Sequence, residues 1–234
     1  ACRVMTYAER AEADLRAEHI ALSADGIAFD AVTETERVPV RVHIPGGFMV
    51  YNTLDVLGAA LALGISLKDS AAVLAKVPHV QGRVEVVPTP GQDYTILIDY
   101  AHTPDSMVNV LRTVKEFAKG RTVAVFGCGG CRDKGKRPLM GAAAGQYADL
   151  TVLTSDNPRT EDPLAIIRDI LPGLSGPHLV IPDRREAIFR ALDLARPGDT
   201  VILCGKGHET TQETGGQWLP MDERQIIAEY INGS

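Results

Sequence analysis

The 234-residue sequence has little of several features that would assign it to a specialised class of protein. Aromatic residues make up only 5% of the chain, and no apolar run approaches the roughly 18 residues that a membrane-spanning helix needs. Positive charge is not in excess, because 24 lysine and arginine residues are set against 30 aspartate and glutamate residues. The net charge of −6 leaves no basic surface for nucleic acid or an anionic membrane. We therefore expect no nucleic-acid partner and no membrane insertion, and since the first residues do not resemble a secretory signal, we expect a cytoplasmic location.

Cysteine is also scarce, with four residues at positions 2, 128, 131 and 204. Four cysteines so widely scattered exclude the disulfide framework of a small secreted domain. Cys128 and Cys131 have the spacing of a redox pair or of half a zinc site, but a zinc site needs two further ligands, for which only Cys204 and His208 are candidates. A thioredoxin-like pair would place its second cysteine on a helix, whereas Cys131 precedes a polar run. We take both as ordinary loop thiols, with the metal or redox site as the alternative.

Apolar residues, in contrast, reach 45% of the chain, which is enough for one large core or two ordinary ones. Residues 1–81 show short strand patterns followed by a pair of helix patterns, and the turn-rich segment 78–82 marks a boundary. Beyond it, short apolar strands alternate with helices, which predicts a mostly parallel sheet covered on both faces. We predict an α/β protein in which a Rossmann-like domain over residues 82–234 follows a β-rich and helical region over residues 1–81.

The predicted elements take their bounds from hydrophobic periodicity and from the positions of glycine and proline. The predicted strands are 3–6, 15–22, 26–32, 38–44, 84–87, 94–98, 122–126, 150–154, 178–181 and 200–204. The predicted helices are 50–64, 67–75, 104–118, 138–147, 163–171, 184–195 and 222–231. Three helices start at a proline, where the missing N–H costs nothing and the free N–H groups of the first turn favour an anion.

Polar residues gather where the predicted strands end. The four loops in question are 99–104, 127–136, 155–160 and 205–209. Because open α/β sheets bind their ligands at the carboxyl ends of the strands, these loops predict a cleft at that edge. The glycines and cations of the second loop suit a phosphate or a carboxylate, although they match neither the P-loop spacing nor the dinucleotide fingerprint. His102 and His208 are candidate general bases there, with a hydrogen-bonded structural role as the alternative.

The loop 155–160 reads Ser-Asp-Asn-Pro-Arg-Thr and lies between an apolar strand and a helix. An arginine in such a turn, beside the amide of Asn157, is suited to holding a carboxylate through two parallel hydrogen bonds. This pattern predicts Arg159 as a ligand-binding residue. The alternative is that Asp156 caps the next helix and that Arg159 is a solvated charge.

Four motifs occur together in the order found in the Mur ligases of peptidoglycan biosynthesis, so the sequence resembles that family. They are Asp-Tyr-Ala-His-Thr-Pro at 99–104, Gly-Gly-Cys-Arg-Asp-Lys-Gly-Lys-Arg-Pro-Leu-Met-Gly at 129–141, Thr-Ser-Asp-Asn-Pro-Arg at 154–159 and Gly-Lys-Gly-His-Glu at 205–209. The resemblance implies that residues 82–234 are the C-terminal domain and that residues 1–81 are the end of the central, ATP-binding domain. It also implies an ATP-dependent ligase that forms an amide when an amine attacks an acyl phosphate.

Within the family, the arginine of the Asp-Asn-Pro-Arg motif is the form associated with addition of meso-diaminopimelate to UDP-N-acetylmuramoyl-L-alanyl-D-glutamate. The distal carboxylate of that amino acid is what L-lysine lacks, and an L-lysine-adding ligase is the alternative. The implied substrate-binding residues are Arg132, Asp156, Asn157, Arg159, Gly205 and Glu209. Of these, Arg132 would pair with a carboxylate, and Gly205 and Glu209 would surround the distal ammonium.

The resemblance implies contacts to ATP as well. Asn52 would contact the adenine, Arg83 the nucleotide and Asp99 the ribose, while His102 would serve either the nucleotide or the structure. No catalytic side chain and no metal ligand are implied within this chain. Such chemistry depends on charge stabilisation and positioning more than on a side-chain nucleophile.

Two positions depart from the family pattern, and several family features are missing. Met49 stands where the family has asparagine, and Cys131 stands where it has aspartate. The phosphate loop, the Mg²⁺ ligands of the central domain and the N-terminal UDP-binding domain do not occur in these 234 residues. We therefore expect the C-terminal portion of a longer ligase that uses ATP and Mg²⁺ and whose partner is its own missing N-terminal part. Without the phosphate loop this polypeptide alone should bind but not ligate, and a non-catalytic amino-acid- and nucleotide-binding module is the alternative from a different class.

Overall fold

A computed structural model describes residues 4–23, 25–77 and 80–233. The chain divides into two compact units, Ala1–Val80 and Gln81–Ser234, here called the first and the second unit. Cys2, the first residue of the predicted strand 3–6, and two residues of the predicted boundary, Pro78 and His79, lie outside the described residues. None of the helices in the described ranges combines the length and the apolar character that a membrane crossing requires.

The first unit is a four-stranded sheet covered by two helices. Its elements are β1 (Tyr7–Ala8), β2 (Leu15–Ser23), β3 (Gly26–Val32), β4 (Arg37–Val42), α1 (Phe48–Ala62) and α2 (Leu67–Leu74). Apolar side chains of alternate strand positions, such as Ile27 and Phe29, pack against Leu54 and Leu57 of α1. The predicted first strand is misplaced, because Thr6 directs its backbone N–H and its hydroxyl to the carboxylate of Asp14, at 2.8 and 2.7 Å, before the strand begins.

The second unit is a six-stranded sheet with helices on both faces. Its strands are β5 (Glu85–Val87), β6 (Thr95–Asp99), β7 (Thr122–Phe126), β8 (Leu150–Leu153), β9 (His178–Val180) and β10 (Thr200–Cys204), in the spatial order β5-β6-β10-β7-β8-β9. Its helices are α3 (Pro104–Phe117), α4 (Lys136–Tyr147), α5 (Pro163–Ile170), α6 (Arg184–Asp193) and α7 (Glu223–Gly233). Within this six-stranded sheet, all strand pairs are parallel except β5 with β6. The predicted α/β architecture with a mostly parallel sheet is confirmed.

Successive side chains along a strand point to opposite faces of the sheet, which explains why both faces of this sheet are covered by helices. Leu97 belongs to the core that α3, α4 and α5 build on one face, whereas Ile96 and Ile98 belong to the core that α6 and α7 build on the other. All three side chains are fully buried. A strand that is apolar on both sides can be stable only between two helical layers.

The positions of the prolines and of one hairpin refine the sequence-based picture. Pro104 and Pro163 do occupy the first position of their helices, but α4 begins at Lys136, so Pro138 is not at a helix start as predicted. A two-stranded hairpin, β11 (Thr211–Thr214) with β12 (Gln217–Pro220), was not predicted. Its signal was present, because the pair 215–216 is Gly-Gly with positive φ at both residues, a pattern typical of two-residue hairpin turns.

The strand order places the predicted polar loops side by side. β10 lies between β6 and β7, and β8 follows β7, so the four strands that carry those loops are neighbours. Since these strands are parallel, their carboxyl ends meet at one edge of the sheet. The second unit therefore brings the loops 99–104, 127–136, 155–160 and 205–209 together.

Candidate functional site

Arg159 is held rigidly at the carboxyl edge. Its φ is +55°, in the left-handed region, and its backbone N–H donates to the Glu213 carbonyl at 3.0 Å while its carbonyl accepts from Gly215 N at 2.6 Å. The guanidinium donates from Nη1 to the Gly130 carbonyl at 2.9 Å, and Nε lies 3.1 Å from Glu213 Oε2. The alternative of a solvated charge is wrong, since only 22% of the side chain is exposed. The Nη2 nitrogen donates no hydrogen bond to the residues that the structure describes, so it is available to a ligand.

Asp156 and Asn157 precede Arg159 and are buried. The Asp156 carboxylate accepts from the backbone N–H of Asn157 at 2.7 Å, and a side chain at Gly205 would place its Cβ 2.5 Å from Asp156 Oδ2. Gly205 is thus required both by this close approach and by its φ of +112°. Asp156 does not cap the following helix; Asp162 does, by accepting from Leu164 N at 3.1 Å. The capping alternative for Asp156 is therefore wrong.

Asn157 is joined to two residues of the loop after β10. Its Nδ2 donates to Glu209 Oε2 at 2.9 Å, and its Oδ1 accepts from the ammonium group of Lys206 at 2.8 Å. Burial raises the pKa of Glu209, but the hydrogen bonds from Lys206 and Asn157 outweigh it, so the pKa lies below its ordinary value. Glu209 is therefore an anion near neutral pH, half-buried beside an amide and a cation.

The loop after β7 is braced by a buried arginine that sequence reasoning missed. Arg137 is fully buried and donates to both carboxylate oxygens of Glu161 at 3.0 Å and to Asp169 at 2.8 Å. The Arg137 hydrogen bonds and the backbone N–H of Cys131 lower the pKa of Glu161 to about 2. Because Glu161 follows β8, this contact joins two loops of the site. Arg132, next to Cys131, is exposed and makes no ion pair with the described residues.

A second brace lies under the same edge. Arg184 and Glu223 are both buried, and Nε and Nη2 of the arginine donate to Glu223 Oε1 at 2.9 and 2.7 Å. The guanidinium also donates to the carbonyls of Ser155 at 3.1 Å and Cys204 at 2.9 Å. These carbonyls lie at the ends of β8 and β10. One buried cation therefore connects the two strands whose loops carry Arg159 and Glu209.

The predicted nucleotide contacts in the second unit lie around Tyr100. Arg83 is exposed with its guanidinium carbon 5.1 Å from the centre of the Tyr100 ring, and the rings of His102 and His208 lie 4.7 and 5.2 Å from it. His102 is exposed, and its Nδ1 lies 2.8 Å from the Tyr100 carbonyl, so the structure gives it a hydrogen-bonded role in the turn. This surface offers a cation, an aromatic face and two imidazoles.

Asp99 and Asn52 have different surroundings. Asp99 is buried, and its two carboxylate oxygens accept from Val84 N at 2.8 Å and Ala101 N at 2.7 Å. Burial raises the pKa of Asp99 more than these two N–H groups lower it. The carboxylate therefore shapes the turn after β6. Asn52 belongs to α1 of the first unit, where it is exposed and its Nδ2 lies 3.6 Å from the sulfur of Met49.

The cysteines of the second unit differ in environment. Cys128 and Cys204 are buried, and burial raises the pKa of Cys128 to about 12. Cys131 is exposed, and a hydrogen bond with the Thr160 hydroxyl, at 3.2 Å, lowers its pKa. Across the described ranges, no group of three or more His, Cys, Asp and Glu residues is arranged to hold a metal ion. The zinc alternative gains no support from this arrangement.

The assembled side chains suit one kind of ligand. A guanidinium with a spare N–H group and an ionised carboxylate lie on adjacent loops. Asn157 contacts both, because its Nδ2 donates to Glu209 at 2.9 Å and its backbone carbonyl accepts from Arg159 Nη1 at 3.4 Å. A guanidinium binds a carboxylate, and a carboxylate binds an ammonium group, with charge-assisted hydrogen bonds. The geometry therefore favours an amino acid or another zwitterion.

Comparison with known proteins gives a consistent result. Residues 82–207 match the family described as Mur ligase, glutamate ligase domain. The UDP-N-acetylmuramoyl-L-alanyl-D-glutamate–2,6-diaminopimelate ligase of Geobacillus kaustophilus is 47% identical over 229 residues, which cover 97% of this chain and 47% of the relative. The ligase of the same name from Bacillus cereus is 44% identical over 234 residues, covering 100% of this chain and 48% of the relative.

The solved structures point the same way. A structure of a UDP-N-acetylmuramoyl-L-alanyl-D-glutamate–2,6-diaminopimelate ligase aligns with a TM-score of 0.73 and 37% sequence identity, covering 98% of this chain and 47% of that one. The chain thus spans about half the length of the curated relatives it matches.

Proposed function

The chain belongs to the Mur ligase family, and we propose that it is the C-terminal half of a ligase that adds meso-diaminopimelate to UDP-N-acetylmuramoyl-L-alanyl-D-glutamate. The resemblance seen in the sequence is confirmed at the level of the family. The names of the relatives at 44% and 47% identity support the proposed reaction. The domain limits proposed with it are residues 1–81 for the end of the central domain and residues 82–234 for the C-terminal domain.

The observation that carries the proposal is the geometry of Arg159. Contacts to Gly130 and Glu213 immobilise its guanidinium, while Nη2 is left for an external acceptor. A cation fixed in this way selects a substrate with a carboxylate at the matching position. Meso-diaminopimelate has such a distal carboxylate, whereas L-lysine ends in an ammonium group alone, so the L-lysine-adding alternative is disfavoured.

The neighbouring residues take complementary roles in the proposal. Glu209 accepts hydrogen bonds from the distal ammonium, and the absence of a side chain at Gly205 leaves room for it. Asn157 and Asp156 hold the loop and line the amino-acid site, and Arg132 reaches over the cleft to a second carboxylate. These contacts position the attacking amine, and positioning is the main contribution this domain can make to amide formation.

ATP is the proposed phosphoryl donor, and the surface around Tyr100 fits a nucleotide. Exposed Arg83 can meet a phosphate or stack on a base, and His102 lies on the same ring. Asp99 is proposed for the ribose from the family pattern, since each of its oxygens accepts one backbone N–H and has a second lone pair for a hydroxyl group. Asn52 is proposed for the adenine from the family pattern.

The Mg²⁺ ligands are proposed to belong to the missing part of the central domain. In the described ranges, no group of three or more His, Cys, Asp and Glu side chains is arranged to hold a metal ion. Phosphoryl transfer depends on such an ion and on a phosphate loop. We therefore propose that the 234-residue chain alone binds but does not ligate.

The proposal is tested with the complete ligase that contains this chain. ATP-dependent product formation from the UDP-linked dipeptide is measured by mass spectrometry with meso-diaminopimelate and, separately, with L-lysine. We expect efficient use of meso-diaminopimelate, poor use of L-lysine, and no product from the 234-residue chain alone. A preference for L-lysine would contradict the proposed substrate. Product from the 234-residue chain alone would contradict the proposal that this chain binds but does not ligate.

A further inference from the structure

Lys206 lies at the centre of the amino-acid site but is completely buried. Its ammonium group contacts Asn157 Oδ1 at 2.8 Å, Glu209 Oε2 at 2.6 Å and the Thr211 carbonyl at 2.5 Å. A buried ammonium is costly unless each of its N–H groups finds an acceptor. Here three N–H groups meet three acceptors, so Lys206 has no donor left for a ligand. Its contribution must therefore act through the residues that it contacts.

The first of these residues is Asn157, whose amide orientation Lys206 defines. Oδ1 accepts from the lysine and from the backbone N–H of Glu213 at 2.9 Å, two donors that could not face an NH₂ group. Nδ2 is consequently directed to Glu209 Oε2. Without the lysine, Oδ1 would keep one donor, and the amide would be less strongly held in this orientation.

The second residue is Glu209. Oε2 receives hydrogen bonds from both Lys206 and Asn157, whereas Oε1 receives none from the residues that the structure describes. About a quarter of the side chain, 27%, is exposed. The carboxylate is thus anchored through one oxygen, and the other is left to accept from a ligand ammonium group.

We propose that Lys206 is a positioning residue for the amine substrate, which orients Asn157 and anchors Glu209 without touching the ligand. The inference rests on the proposed function, because it assumes that Glu209 and Asn157 bind the amino acid. It adds a specific division of roles within the Gly-Lys-Gly-His-Glu motif: the lysine is a support for the site and is not a phosphate ligand. Binding of ATP should therefore not depend on it.

The test uses the complete ligase with Lys206→Met and Lys206→Gln. Loss of the support should raise KM for meso-diaminopimelate about 10- to 100-fold, in the range seen when hydrogen-bonded groups behind a ligand are removed, while KM for ATP stays within about twofold. Lys206→Gln, which retains a neutral donor, should fall between wild type and Lys206→Met. Lys115→Met is the matched control, because Lys115 pairs with Asp149 at the far end of α3. Equal increases for both substrates, or no increase for the amino acid, would overturn the proposal.

A combined variant covers the case in which Lys206→Met fails to fold. Lys206→Met with Glu209→Gln removes both charges of the pair together and leaves no isolated buried charge. If the lysine acts through Glu209 and Asn157, adding Lys206→Met to a variant that already carries Glu209→Gln and Asn157→Ala should change its KM for the amino acid by less than about threefold. A further tenfold increase in KM would show that Lys206 acts in another way.

A structural readout separates this proposal from the proposed function. In a crystal structure of the Lys206→Met variant, the Asn157 side chain should move or become less well ordered, and Glu209 Oε2 should leave its present position. That result would support positioning even if the wild-type ligase preferred another amine, and KM would then be measured for that amine. Unchanged positions of both side chains would refute the inference, whichever amino acid the ligase uses.

Discussion

Replacement of Arg159 by alanine in the complete ligase is the sharpest test of substrate choice. The change removes a guanidinium that contacts Gly130 and Glu213 and whose Nη2 is directed to no other described group. It leaves the backbone hydrogen bonds of residue 159 with Glu213 and Gly215 in place. The loop should therefore persist, and the loss should fall on the ligand that the side chain would hold.

The magnitude follows from the surroundings of the guanidinium. Truncating one member of a fully desolvated charge pair costs roughly 2–5 kcal/mol. Arg159 is 22% exposed and already lies beside Glu213, which places it at the low end, about 2 kcal/mol. That corresponds to a loss of about 30-fold in kcat/KM for meso-diaminopimelate. L-lysine has no distal carboxylate, so its kcat/KM should change by less than about threefold.

The assay is kcat/KM for both amino acids with ATP and the UDP-linked dipeptide saturating. Arg159→Lys keeps a charge but not the planar fork, and we expect an intermediate loss. Arg168→Ala is the matched control, because that arginine is 64% exposed and its one ion pair among the described residues is with the exposed Asp162. Equal losses for the two amino acids would show that Arg159 serves the fold or the part common to both substrates, and unchanged kinetics would refute a role in binding.

Three further outcomes are expected. Glu223→Leu should lower the free energy of unfolding of the second unit by about 3–5 kcal/mol, because it leaves the buried Arg184 without its anionic partner. The double change to Arg184→Met and Glu223→Leu should lower it much less. Hydrogen exchange of the β-strands measures both losses, and equal losses would contradict the reasoning. Gly205→Ala should raise KM for the amino acid at least tenfold, because the new Cβ would lie 2.5 Å from Asp156 Oδ2. Gly176 also has a positive φ but has open space where a Cβ would lie, so Gly176→Ala should leave KM unchanged. Iodoacetamide should alkylate Cys131 in the native chain and spare the other described thiols, which are buried. Because the pKa of Cys131 is lowered, its alkylation should begin at a lower pH than that of a free thiol. Modification of the buried thiols at the same rate would contradict this view.

The sequence was sufficient for the fold class and for the edge at which the site lies. Short apolar strands alternating with helices leave little choice but a parallel sheet between two helical layers. Polar loops after such strands are brought together by the sheet itself. The position of β10 between β6 and β7 was not predictable in this way, because the pairing of strands distant in sequence is decided by tertiary packing.

Single residues of the site were predictable only where a motif displayed them. Arg159 and Glu209 are visible because their motifs are specific, whereas Lys206 and Arg137 look like solvated charges in glycine-rich loops. Their burial depends on acceptors from other segments of the chain, such as the Glu161 and Asp169 carboxylates around Arg137 and the Asn157 amide oxygen beside Lys206. Local patterns contain no information on such partners. The predicted contacts of Asn52 and Arg83 with a nucleotide stay predictions.

The place of β10 in the sheet has a consequence for how the domain is made. Thr200 pairs with Thr95 on one side and with Thr122 on the other, so β10 is the bridge between β6 and the strands β7 to β9. Until the ribosome has released residues 200–204, the nascent chain can form only two separate fragments of sheet with unpaired edges. Contacts so distant in sequence slow folding and leave strand edges exposed to other chains. We therefore expect the second unit to fold late in synthesis and to depend on chaperones until then.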